Sequence, residues 1–202
     1  MPAMSVDEPT TTLPTTLGGQ VNRTQPTRRP LTWNRGTDLG LLLLRFGIGG
    51  MTFAHGAQKV FGLWGGPGPA GFAHNLTAMG YQQAGTLTWV AGIGELVVGA
   101  FVVLGVLTPL AAAGVLAIMI NAVLLKWGNG FFVTGPRGGD AVEYDIVLGL
   151  GAACLSLTGP GRFALDNGRA WHRRPASWGV LSLVIGIAVA VLVYVLLRRP
   201  PL

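Results

Sequence analysis

The stretch TLTWVAGIGELVVGAFVVLGVL, residues 86–107, decides the fold. It is apolar throughout except for Glu95. At 1.5 Å per residue, a helix over it is about 33 Å long, enough to cross the ~30 Å hydrocarbon core of a bilayer. Working outward, four further runs read the same way: 38–57, 109–127, 143–159 and 177–197, the fourth in chain order being the shortest. Thr37 or Asp38 is placed to cap the first. The pair Thr108–Pro109 ends the second run and opens the third, with Pro109 in the first turn, where its missing N–H costs nothing.

The composition agrees. The chain has 202 residues, of which 50% are hydrophobic and only 11% charged, against about 25% charged in soluble domains. The mean hydropathy is +0.52. The sequence predicts an all-α membrane protein: a four-helix transmembrane bundle plus one extra C-terminal transmembrane helix. The net charge of +6 sits in short flanks beside the apolar runs. That pattern serves membrane topology and anionic headgroups, so the lipid bilayer is the expected partner and nucleic acid is not. The single cysteine, Cys154, excludes an intrachain disulfide, and no Cys/His spacing of a metal site occurs. Within its apolar run Cys154 reads as a small buried residue.

The flanks set the organisation. Residues 1–35 are rich in Thr and Pro and lack apolar periodicity, which predicts a disordered tail. The bundle occupies 36–167, a basic linker 168–176, and the added helix 177–202. With the N-terminus cytoplasmic, the inner flanks carry eight Arg residues (23, 28, 29, 35, 162, 169, 173 and 174). The outer flanks carry five Lys and Arg residues (59, 126, 137, 198 and 199). The excess favours a cytoplasmic N-terminus. The connection 58–85 places Phe72, Leu76 and Met79 on one helical face, as in an amphipathic helix lying at the outer interface. Trp64, Trp89, Trp127 and Trp178 fall near span ends, as in an aromatic belt.

Glu95 then needs explaining. It lies roughly 12–14 Å into the second span, where a charge costs about 2.5–3.5 kcal/mol on insertion scales. It must be neutral, paired, or facing a wet cavity. Arg45, near 10 Å deep in the antiparallel first span, is the partner the sequence offers. The periodicities suggest a shared interior. Arg45, Gly49, Thr52, Gly56 and Lys59 form one stripe, with His55 on its shoulder. Thr88, Gly92, Glu95 and Gly99 form a second; Ala113, Ala117 and Asn121 a third; Asp145, Gly149, Ala152 and Ser156 a fourth. Small residues flanking a polar group are what close helix packing in lipid requires. The fifth run has no ionisable residue besides Tyr194 and reads as a peripheral, lipid-facing anchor.

Two readings of the polar set stand side by side. In one, Glu95 and Arg45 are a catalytic pair and His55, Lys59, Thr52, Asn121 and Asp145 line a ligand pocket open to the outer side. In the other, the pair fixes helix register, His55 is a satisfied polar residue, and Lys59, Lys126, Glu143 and Asp145 are ordinary rim charges. His55, His74 and His172 do not supply two deep haem ligands, and no metal site is expected.

The motifs LRFGIGGMTFAHGAQKVFG, GELVVGAFVVLGVLTPLAA and EYDIVLGLGAACLSLTGPGRFALD resemble the DoxX family of small bacterial membrane proteins, over about residues 39–167. The ending GPGRFALD is similar to a family signature in which Ser is common at the position of Ala164. The resemblance implies a four-helix membrane unit in the plasma (inner) membrane of a bacterium, multi-pass, with Arg45, His55, Lys59 and Glu95 as recurrent polar positions. It also implies a link to redox metabolism. The relative DoxD is a subunit of a thiosulfate:quinone oxidoreductase, and other members are described as partners of sulfur-transfer and superoxide-detoxifying proteins. The first functional reading is therefore a redox-complex subunit that binds quinone or quinol and draws on protein partners, since no flavin, haem or iron–sulfur motif is encoded. The second is non-enzymatic: a membrane scaffold, or a protein that handles lipid or a small solute. Whether the chain is itself an enzyme depends on which reading holds.

Overall fold

Gly/Pro breaks between apolar runs cut the chain into helices. A computed structural model describes residues 34–132 and 141–198, without the side chains of residues 172 and 173. The Thr/Pro-rich segment and Arg137 lie outside the described residues. The elements are α1 (Arg35–Phe61), α2 (Gly68–Ala78), α3 (Ala84–Leu104), α4 (Thr108–Lys126), α5 (Glu143–Thr158), α6 (Ala170–Arg173) and α7 (Pro175–Leu197). Four helices are long and apolar enough to cross a membrane: α1, α3, α7 and α4 with its following turn. The remaining predicted span, the fourth in chain order, is α5. With 16 residues it is about 24 Å long, shorter than a full hydrocarbon core.

The starts and stops follow local chemistry. Asn34 caps α1, its Oδ1 accepting from the amides of Gly36 (2.9 Å) and Thr37, so neither Thr37 nor Asp38 is the cap. Gly105 ends α3 in the left-handed conformation, which a residue without Cβ adopts at no cost. Pro109 sits in the first turn of α4, as the sequence predicts.

The helices pack as two interlocked groups. In the first, α1 lies antiparallel along α3 with α2 against both; in the second, α4 packs on α5 and α7. The buried residues include most of the predicted stripes: Arg45, Gly49, Thr52 and Gly56 in α1, Thr88, Gly92, Glu95 and Gly99 in α3, Ala113 and Ala117 in α4, and Asp145, Gly149, Ala152 and Ser156 in α5, whereas Lys59 and Asn121 are only half-buried. Glycine sets the α1–α3 distance. A Cβ on Gly99 would stand 2.5 Å from the Phe53 amide nitrogen, and one on Gly56 2.7 Å from the Leu96 nitrogen. The apolar centre joins Ile48, Val102, Val115, Ala152 and Leu155 across both groups.

Two expectations are corrected. α7 faces lipid on most sides, as the sequence predicts, yet it packs against α4 and α5 rather than standing apart as a peripheral anchor. Its buried residues, Gly179, Ser182, Gly186 and Ala190, form a small-residue stripe of their own. A Cβ on Gly186 would meet the Ala113 carbonyl oxygen at 2.6 Å, and the Ser156 hydroxyl donates to the carbonyls of Pro109 (3.0 Å) and Gly179 (3.3 Å). At its far end the Gln82 amide donates to the Leu197 carbonyl (3.0 Å). Asn34–Leu202 is accordingly one unit. Cys154 is exposed rather than buried, because it lies across the helix from the stripe that α5 turns inward. Large apolar side chains such as Val147, Val184 and Leu196 are more than half exposed. With long apolar helices, such a surface is that of a multi-pass membrane protein in contact with lipid.

Candidate functional site

Arg45 and Glu95 are not paired. α1 extends past the predicted 38–57 at both ends, and its register on α3 sets Arg45 opposite Val102 and Val103 and Gly56 opposite Gly92 and Glu95. Glu95 is seven residues from Val102, about 10 Å along the axis. Arg45 is therefore out of reach, and Lys59 is the cation one turn from Gly56.

Arg45 spends its guanidinium on backbone. Nε donates to the Val102 carbonyl (2.9 Å), Nη2 to that of Val103, and Nη1 to those of Pro160 (3.1 Å) and Phe163 (2.6 Å). The last carbonyls of a helix lack intrahelical partners. One buried, planar, five-donor group thus closes the end of α3 and anchors the loop 159–166 to it. Asp166 completes the knot from the other side. Its carboxylate accepts from the Leu107 amide (3.0 Å), the Thr108 amide (2.7 Å) and the Thr108 hydroxyl (2.9 Å), capping α4. Asp38 accepts from the Arg162 amide (3.0 Å). The sequence offered Asp38 only as a helix cap and assigned no role to Asp166. The signal was present in GPGRFALD, a Gly/Pro turn ending in a short carboxylate.

The opposite end of the α1–α3 pair is built differently. Lys59 Nζ forms an ion pair with Glu95 Oε1. The lysine side chain is 21% exposed and the glutamate 4%. The ammonium also lies 4.8 Å from the centre of the Phe72 ring, a cation–π contact supplied by α2. Among the described residues, Glu95 Oε2 is buried with no hydrogen-bond partner. A buried carboxylate oxygen left unsatisfied is costly, and its natural remedy is a hydrogen-bond donor. This is the candidate site: a buried carboxylate held by one cation on one oxygen, unsatisfied on the other among the described residues, with an aromatic ring against the cation.

The remaining predicted residues do not converge on it. The Thr52 hydroxyl donates to the Ile48 carbonyl of its own helix (2.8 Å). His55 is exposed on α1, one turn before Lys59. Asn121 faces α7 and donates to the carbonyls of Ala117 (3.1 Å) and Ala190 (3.2 Å). Asp145 pairs with Lys126 between α4 and α5. The expected single pocket is in fact three places, because the polar stripes meet in helix pairs rather than in one four-sided core. Among the described residues, no three His, Cys, Asp or Glu side chains gather as a metal site would require.

Residues 40–127 match the DoxX family model. The chain carries a DoxX domain. The match runs from the first turns of α1 to the end of α4, so the DoxX segment holds Arg45, Lys59 and Glu95, while α5, the loop 159–166 and α7 lie beyond it. No curated protein matches the chain, and no solved structure does. The strongest chemical feature of this multi-pass membrane protein, the Lys59–Glu95 pair, thus sits inside the segment that matches DoxX.

Proposed function

We propose that this DoxX-family protein is a quinol-binding membrane subunit of a redox complex, with Glu95 as the proton acceptor. The observation that carries the reading is the partnerless, buried Oε2 of Glu95 beside its Lys59-bound Oε1. A quinol hydroxyl is the donor that this oxygen lacks, and Phe72 offers a ring face to an aromatic head group. Oxidation of a quinol releases two protons and two electrons. Glu95 takes one proton along the hydrogen bond, Lys59 holds the carboxylate in an ion pair before transfer, and the second proton leaves to water at the membrane surface. The electrons go to a redox centre on a partner protein, because the chain encodes no cofactor motif of its own. Arg45, engaged by four carbonyls, has no part in the step. The excess of Lys and Arg flanking the N-terminal side of the bundle supports a cytoplasmic N-terminus, and the family supports a bacterial plasma membrane. The Lys59–Glu95 end would then face the outer leaflet.

The test is binding of short-chain benzoquinol and naphthoquinol to the purified full chain, measured by calorimetry for the wild type and Glu95→Gln. Saturable binding that weakens at least tenfold in a Glu95→Gln protein of unchanged helicity supports the reading. Equal binding by both proteins, or none by the wild type, overturns it and returns the pair to a register-fixing role in a scaffold.

A further inference from the structure

A groove of about 270 Å³ runs along the outside of the α4–α5 contact. Its walls are Leu116, Met119, Ile120 and Val123 of α4 and Ile146 and Leu150 of α5. Gly149 lies at its floor, where the two helices approach closely: a Cβ there would lie only 3.3 Å from the Met119 Cβ and 3.4 Å from the Leu116 Cδ1. From Leu116 to Leu124 the groove extends about 12 Å along the helix axis. The lining residue that carries charge is Asp145, and it marks one end. There it pairs with Lys126, the last residue of α4, with the exposed Trp127 next in the chain. The side chains of Lys126 and Asp145 retain 24% and 11% exposure.

We infer that this groove is a phospholipid site: one acyl chain lies between α4 and α5, and a zwitterionic headgroup bearing a primary amine meets Lys126 and Asp145. Three observations select that occupant. The protein's surface faces lipid, so the groove opens to acyl chains. A helix is about 10–12 Å across with its side chains, too broad for a cleft of this volume, whereas an extended chain fits. The mouth presents both signs of charge at a helix end, the level at which headgroups lie. An ammonium has three donors; one serves Asp145, leaving two for a phosphate. The Asp145 carboxylate accepts from a headgroup amine in the same way. A purely anionic headgroup would use Lys126 and be repelled by Asp145. The inference is independent of the quinol reading, which concerns the α1–α3 pair.

The experiment uses the full chain in nanodiscs containing a phosphoethanolamine lipid with a photoreactive group in its acyl chain. Cross-linked positions are mapped by peptide mass spectrometry. Saturable labelling within 116–124 and 146–150 is expected, displaced by unlabelled phosphoethanolamine lipid and at least tenfold less by a phosphoglycerol lipid. Val123→Trp, which fills the groove from the lipid side, should abolish this labelling while leaving quinol binding as it is. Lys126→Gln should weaken it about tenfold, the effect of one charge-assisted hydrogen bond. Labelling spread evenly over the lipid-facing sides of α1, α3 and α7 without saturation would overturn the site, as would labelling unchanged in Val123→Trp. Equal displacement by phosphoglycerol lipid would overturn the headgroup assignment.

Discussion

The two ends of the α1–α3 pair each bury a charge, and they treat it in opposite ways. At one end Arg45 is 1% exposed, and four carbonyl groups from α3 and the 159–166 loop accept its hydrogen bonds. At the other, Glu95 is 3% exposed and uses one oxygen, while the second has no partner among the described residues. A charge surrounded by backbone acceptors is a structural fastener: it closes a helix end that lipid cannot solvate. A charge with capacity left over is poised for a ligand or a proton. Depth and residue type alone would rank the two alike; the count of satisfied atoms separates them.

That contrast is broken most forcefully at Arg45. Arg45→Met strips donors from two buried carbonyls, at about 1–3 kcal/mol each, and from two part-buried ones. It is expected to destabilise the protein by more than about 4 kcal/mol, seen as lost accumulation in the membrane and a lower unfolding temperature in detergent. Arg45→Lys should recover only part of this, because an ammonium cannot reproduce a planar fork. The interface between the two ends comes next. Gly99→Leu pushes a side chain into the Phe53 backbone and is expected to cost about 3 kcal/mol, read from chemical unfolding in mixed micelles. Asp166→Asn keeps the shape of the α4 cap but gives up one of its acceptor oxygens, at about 1–2 kcal/mol in the same assay. Glu95→Gln should cost least, about 1 kcal/mol, because Lys59 is part-exposed and can turn its ammonium toward the headgroups. If Glu95→Gln were as damaging to folding as Arg45→Met, the two ends would be equivalent and the contrast would fail.

Much of this architecture was legible in the sequence. Helix positions followed from apolar run lengths and Gly/Pro breaks. The inward stripes of α1, α3 and α5 followed from helical periodicity, since small residues must lie where backbones approach. The partner of Glu95 was not legible. Axial depth was counted from assumed span ends, and α1 extends to Phe61, which carries Lys59 inside the helix and moves Arg45 away. A shift of two turns is invisible to composition but decides which charges meet. The role of α7 was also missed. Gly179, Ser182, Gly186 and Ala190 have helical spacing, but a run with no ionisable residue gives no polar marker of which face is inside. The Arg45 cradle could not be read at all, because its acceptors are backbone carbonyls, which every residue has.

The most direct measurement is the infrared difference spectrum of the protein with and without quinol, recorded for the wild type and Glu95→Gln. A carboxyl band that shifts on quinol addition in the wild type and is missing from Glu95→Gln is the predicted result. It would show a donor reaching the free oxygen of Glu95. A spectrum without carboxyl change, or a band that persists in Glu95→Gln, would contradict the assignment of this end of the bundle as the functional one.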